Sequence, residues 1–127
     1  SYTLTEKEVA QLEKDSEIDI GKITQMLTES KETTKKIDKS KGFGSILFFK
    51  GKGCNKCGGL GYKGRIGIYE VLDMSDEIKE MVSTRADADE IKAKAIESGM
   101  LTMLEDGFLK AKAGVTTIEE VLRVTKE

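Results

Sequence analysis

The sequence predicts a helix-rich α+β fold, with short strands around a CxxC knuckle and a C-terminal bundle of three to four short helices. Three observations carry this. Residues 45–50 (SILFFK) and 65–72 (RIGIYEVL) are short apolar runs of strand composition. Between them, a glycine-rich loop holds the chain's 2 cysteines, Cys54 and Cys57. The last third repeats helix start and stop signals at short intervals. The resulting divisions are a helical segment over 1–45, the knuckle with its core strand over 46–73, and a helical subdomain over 74–127.

Each element has a local cause. Thr5 and Glu8 form a capping box, in which a hydroxyl and a carboxylate each satisfy a free backbone N–H at a helix start. Val9 and Leu12 supply its apolar edge. A second helix is predicted over 19–38, with Ile23, Met26, Leu27, Thr34 and Ile37 near one face in a thin stripe. Its end runs into ESKETTKKIDKSK, residues 29–41, a polar, lysine-rich stretch that reads as a solvated helix end or a mobile linker. Gly42 and Gly44 break the pattern, and SILFFK follows as a strand. RIGIYEVL is apolar on both faces except at Glu70, which predicts a central strand.

Ser75 caps a helix over 76–83. Asp87 and Glu90 make an acidic capping box, Ala88, Ile91 and Ala95 share a face, and Gly99 ends that helix as a left-handed cap. Thr102 and Glu105 open the next, with Leu104, Phe108 and Ala111 inward and Gly114 at its end. Thr117 and Glu120 open the last, with Ile118, Val121 and Leu122 inward. Short helices joined by tight turns pack on one another.

Composition removes several function classes. A chain of 127 residues is a one-domain length, and 38% hydrophobic content supports a modest core. The net charge of −2 excludes a strongly basic nucleic-acid surface, so no nucleic-acid partner is expected, although a local patch stays open. No apolar run approaches the roughly 20 residues a bilayer-crossing helix needs, so no direct membrane insertion is expected. The start, SYTLTEKEVAQLEKD, is polar and acidic, unlike a signal peptide. Two cysteines without such a signal point to a reducing compartment, where paired thiols bind metal or do redox work more often than they staple a fold. A chain that starts with Ser1 reads as a domain cut from something longer.

The CNKC loop has three readings. Redox catalysis needs a thiolate stabilised at a helix N-terminus. Here Cys57 is followed by Gly58, Gly59 and Gly61, and each glycine costs a helix interior about 1 kcal/mol relative to Ala, which argues against a helix there. A zinc knuckle needs a tight turn that aims two sulfurs at one ion, and glycines after the second Cys supply the positive φ at little cost. Zinc wants four ligands, and Cys54 and Cys57 are two, with no histidine in the chain. Two unliganded thiols in a loop are the third reading.

CNKCGGLG also fits CxxCxGxG, a repeat of the zinc region of J-domain chaperones, but occurs once here. A longer match is more specific. GCNKCGGLGYKGRIGIYEVL, then MSDEIKEMV, then ESGMLTMLEDGFLKAKAGVTTIEEVLRVT, resembles the C-terminal end of bacterial type II secretion and type IV pilus assembly ATPases, from about residue 46 to 125. The cysteine motif sets it with the assembly enzymes rather than the retraction enzymes.

The resemblance implies a fragment of a RecA-like motor domain. The whole protein would be a hexameric ATPase at the cytoplasmic face of the inner membrane, driving pilin or pseudopilin assembly through an inner-membrane platform. It also implies a tetracysteine zinc element of two CxxC pairs. Cys54 and Cys57 match the second pair. SYTLTEKEV resembles the segment that follows the first pair, which is expected upstream of Ser1. Zinc is thus half-liganded by this chain, while ATP and magnesium belong to the whole protein.

The departures are large. The chain has no GxxxxGK[ST] phosphate loop, no acidic pair closing an apolar strand, and no histidine box. This chain alone is therefore not expected to hydrolyse ATP, and no catalytic or nucleotide-binding residue is assigned. Arg65, at the start of the second strand, is expected either to touch a neighbouring subunit or to pair with a carboxylate. Glu70 interrupts an apolar run and is expected to need a partner such as Arg65 or a lysine. Glu105 and Asp106 read as first-turn residues favoured by the helix dipole. Tyr62 and Tyr69 read as packing residues, and Met100, Met103 and Leu104 as core. Two other functions remain at this level: a stand-alone zinc-ribbon module that recruits a protein partner, and a CxxC thiol oxidoreductase.

Overall fold

The structure, a computed structural model, describes residues 1–16, 19–29 and 39–125. Helix α1 (Glu6–Ser16) starts at the predicted capping box: the Glu8 carboxylate accepts from the Thr5 amide at 2.8 Å and its hydroxyl at 2.7 Å. Helix α2 (Ile20–Glu29) buries Ile20, Ile23 and Leu27. It is shorter within the described residues than the predicted 19–38. The lysine-rich stretch, with Thr34 and Ile37, lies mostly outside them. Lys39–Ser45 forms two 3-10 turns meeting at a kink at Gly42.

The four C-terminal helices fall where the caps predict: α3 (Asp76–Ser83), α4 (Ala88–Glu97), α5 (Met103–Lys112) and α6 (Ile118–Thr125). Ser75 accepts from the Ile78 amide, Thr102 from Glu105 and Thr117 from Glu120, all at N-terminal cap spacing. Gly99 and Gly114 take positive φ of 102° and 77° as C-terminal caps. At the corresponding position after α3, φ is +58° and the residue is Arg85. Its amide donates to the Val82 carbonyl and the Ala86 amide to Met81, so the same cap closes at a non-glycine residue.

One core joins the two ends of the chain. Leu12, Ile23 and Leu27 pack with Phe43, Ile46 and Phe48 and with Phe108, Ala111, Ile118 and Val121. The rings of Phe43 and Phe108 meet edge-on at 5.9 Å, a favoured aromatic geometry. Charges are seated around this core rather than left in it. Glu105 is 6% exposed, closes the Thr102 cap and pairs with Lys22 at 2.8 Å. Buried Lys112 donates to the Leu27 carbonyl, near the C-terminal end of α2, where the helix dipole favours a cation. Helices α3 and α4 stand apart from this cluster and bury Ile78 and Ala95.

The two predicted strands do not form a sheet among the described residues. In SILFFK the alternation holds: Ile46 and Phe48 are buried and Phe49 is exposed. Its ladder is one antiparallel bridge, in which Tyr2 and Phe48 exchange two hydrogen bonds of 2.8 Å. RIGIYEVL forms neither helix nor ladder, and Ile66, Tyr69, Val71 and Leu72 are exposed. The central-strand expectation is corrected for a simple reason. A strand exists by pairing, and no described residue offers this segment a neighbouring edge. No helix among the described residues is long and apolar enough to cross a membrane.

Candidate metal centre

The knuckle is a hairpin whose two arms nearly touch. A Cβ on Gly51 would lie 2.4 Å from the Gly61 carbonyl oxygen, and one on Gly53 would lie 2.2 Å from that of Gly59. No side chain fits at either place, so two glycine pairs bring the arms together below the tip. The base is tied to α6. Lys50 pairs with Glu119 at 2.7 Å, and the Tyr62 and Thr117 hydroxyls are 2.7 Å apart.

At the tip, Asn55–Cys57 makes a single 3-10 turn, and Gly58 continues it in the left-handed region at φ 62°. The turn brings the two sulfurs to 3.6 Å. Tetrahedral zinc with Zn–S bonds near 2.3 Å separates its thiolates by about 3.8 Å, so the pair stands close to one edge of that tetrahedron. Backbone amides already point at one sulfur: Gly61 donates to Cys57 at 3.2 Å and Cys54 donates to it at 3.1 Å. These bonds, Gly61's first, favour the thiolate and hold the Cys57 thiol below its ordinary value, at about 7. Cys54 and Cys57 therefore fit two positions of a zinc site. Among the described residues no cluster of three or more His, Cys, Asp or Glu could hold a metal.

The same geometry bears on redox chemistry. The stabilised sulfur belongs to the second cysteine, and the turn behind it has 3 residues, too short to supply a helix dipole. The thioredoxin arrangement places the stabilised thiol first, at the head of a full helix. The loop's charge is one-sided as well. Residues 39–69 carry 7 Lys or Arg and no Asp or Glu, so the knuckle is the cationic part of a net acidic chain.

Arg65 is exposed and pairs with no carboxylate among the described residues, contrary to one of its expectations. Glu70 does not meet Arg65. Its carboxylate accepts the Met103 amide at 3.2 Å, at the first residue of α5. Asp106 accepts the Tyr69 amide at 2.8 Å. Sequence reasoning missed this junction because its partners are over 30 residues apart and no periodic pattern links them. Glu70 breaking an apolar run was the one visible sign. Tyr69 and Met103, expected as packing and core residues, are 64% and 45% exposed. Leu104 does pack against the core.

Comparison with known proteins sets this knuckle in context. A family model described as Type II/IV secretion system protein matches residues 11–123. Over 79 residues, covering 62% of this chain and 9% of the relative, it is 51% identical to the type IV pilus assembly ATPase PilB of Thermus thermophilus. Over 99 residues, covering 78% of the chain and 20% of the relative, it is 34% identical to the type II secretion system ATPase E of Vibrio cholerae. The type II secretion system protein E of Xanthomonas campestris is 55% identical over 67 residues, covering 53% of this chain and 12% of the relative. The chain thus spans at most about a fifth of the length of these relatives. With most of its length under the family model, this chain belongs to the type II/IV secretion system protein family.

Proposed function

We propose that this chain is the C-terminal zinc-element and helical region of a hexameric ATPase that powers pilin or pseudopilin assembly. The nucleotide machinery, with ATP and magnesium, lies in the rest of that protein. Its partners are the neighbouring subunits of the hexamer and the inner-membrane platform of the machine. It works in the cytoplasm, held at the inner membrane through those partners.

The observation that carries this reading is the knuckle. Two thiols stand at a zinc-compatible separation, with amides aimed at one of them, in a chain of the secretion family. The Tyr2–Phe48 bridge supports the source of the missing ligands. Its antiparallel register, continued upstream of Ser1, runs beside residues 49–54 toward the knuckle tip. The first cysteine pair, on that flank, would arrive where Cys54 and Cys57 need partners. When bound, zinc would lock the two arms and this flank into one rigid element.

Elemental analysis tests this. Zinc should be near zero in this chain alone and near one per chain once the upstream cysteine pair is included, with the metal lost on Cys54→Ser. Half a zinc per chain in this chain alone, with dimers that Cys54→Ser disrupts, would instead favour a stand-alone zinc-ribbon interaction module. Reduction of insulin by this chain would favour a thiol oxidoreductase.

A further inference from the structure

Residues 66–72 leave the knuckle outside any helix or ladder, with most of their apolar side chains exposed. Among the described residues, they meet α5 through two hydrogen bonds, and these run in opposite directions. The Tyr69 amide donates to the Asp106 carboxylate at 2.8 Å, while the Met103 amide donates to the Glu70 carboxylate at 3.2 Å. A reciprocal pair of this kind resists sliding: displacing the segment along its axis breaks both bonds.

Lys110 closes the arrangement. It pairs with Asp106 one turn along α5, and its ammonium lies 4.8 Å from the centre of the Tyr69 ring, in cation–π range. On the other side, a Cβ on Gly67 would lie 2.4 Å from the Tyr69 hydroxyl, so glycine leaves the space into which that ring folds back. Tyr69 and Asp106 also line a crevice of about 480 Å³ that Val71, Ile78, Met100 and Leu101 border. The α3–α4 pair is therefore not packed tightly against α5 there. The contacts are exposed or half-exposed, so they contribute little to stability. What they fix is position.

We propose that Glu70, Tyr69, Asp106 and Lys110 form a register pin: they carry displacement of residues 66–72 into α5, and through its shared core into the α6 end on which the knuckle is mounted. This rests on the motor reading above. The pin residues are positioning residues. Their loss should leave ATP hydrolysis in place while the helices and knuckle cease to follow it.

The test uses the whole ATPase with its platform and pilin. Two variants address the pin from opposite sides. Glu70→Gln removes the accepting charge. Met103→Pro removes the donating amide at the first position of α5, where the helix has no use for it, and Thr102 already has the extended backbone (φ −74°, ψ 158°) that proline prefers in its predecessor. Both variants should keep hydrolysis within about twofold while filament assembly per ATP falls about tenfold, a typical coupling between sites. Amide exchange should rise in residues 66–72 and 103–106 but not in 51–61. Hydrolysis and assembly falling in parallel, or an unchanged ratio in both variants, would overturn the pin alone. No ATP hydrolysis by the unaltered protein would overturn the motor reading beneath it.

Discussion

Two apolar segments flank the knuckle, and they meet opposite fates. SILFFK and RIGIYEVL have the same length class and the same strand composition. The first buries Ile46 and Phe48 completely and secures one bridge to Tyr2. The second leaves Ile66 half exposed and Val71 73% exposed. The difference teaches that apolar alternation states a demand for burial, and whatever lies opposite decides whether the demand is met. For SILFFK the partners are in the chain: Tyr2, Phe43 and the α5–α6 face. For RIGIYEVL they are not among the described residues. A segment apolar on both faces stays exposed when nothing among the described residues lies opposite it.

The contrast can be broken by mutation. The largest effect should come from Phe48→Ala, which empties a fully buried ring site against Tyr2 and Phe43 and should cost about 3–5 kcal/mol by denaturant unfolding. A loss near that of a surface site would mean that the first segment is no better seated than the second.

Gly53→Ala comes next, because the glycine pairs hold the exits of the two segments together. Its φ of 80° alone should cost about 1–2 kcal/mol, before the collision with Gly59 is counted. The same variant should move the Cys57 thiol up toward its ordinary value of 9.0, by pulling Gly61 and Cys54 out of reach. In the metal-free native chain, Cys57 should be alkylated with a midpoint near pH 7. The linked stability has a definite sign. A thiol depressed in the folded state stabilises it fully above the unfolded value of 9.0, and this contribution is lost as pH falls through about 7. An alkylation midpoint at 9 in the native chain would mean that the amides do not hold the sulfur.

A smaller effect, in the opposite direction, tests local rather than tertiary determination. Arg85 occupies a left-handed cap position that glycine fills after α4 and α5. Arg85→Gly should raise stability by about 1 kcal/mol in thermal unfolding, since the strain of φ 58° disappears. The smallest effect should be Val71→Ala, within about 0.5 kcal/mol, because its side chain is largely in water already. A cost near that of Phe48→Ala would show that the second segment is buried in solution, and the contrast would fail.

The site was legible in unequal parts. The turn that brings Cys54 and Cys57 together was legible, because a CxxC turn and the glycines after it are adjacent in sequence, while the chemistry of the pair stayed open between metal, redox and unliganded thiols. The acidity of Cys57 rests on amides within four residues of it, so it too is local, although its size follows from the three-dimensional turn. For Glu70 the sequence suggests Arg65 or a lysine as partner. An ion pair five residues apart in sequence was the nearest solution in one dimension. In space, the amide of Met103, 33 residues away, donates to the Glu70 carboxylate.

The sequence by itself determined the C-terminal helices, their caps and the knuckle turn. Hydrogen bonds spanning three to five residues, a helical period and positive-φ glycines are all encoded within one or two turns of chain. Only the tertiary structure decided three further things. It paired Tyr2 with Phe48, it joined α1 and α2 to α5 and α6 in a single core, and it left one of two similar segments exposed. Each depends on which surfaces meet across long stretches of chain, and apolar composition specifies that a surface must be covered without specifying what covers it.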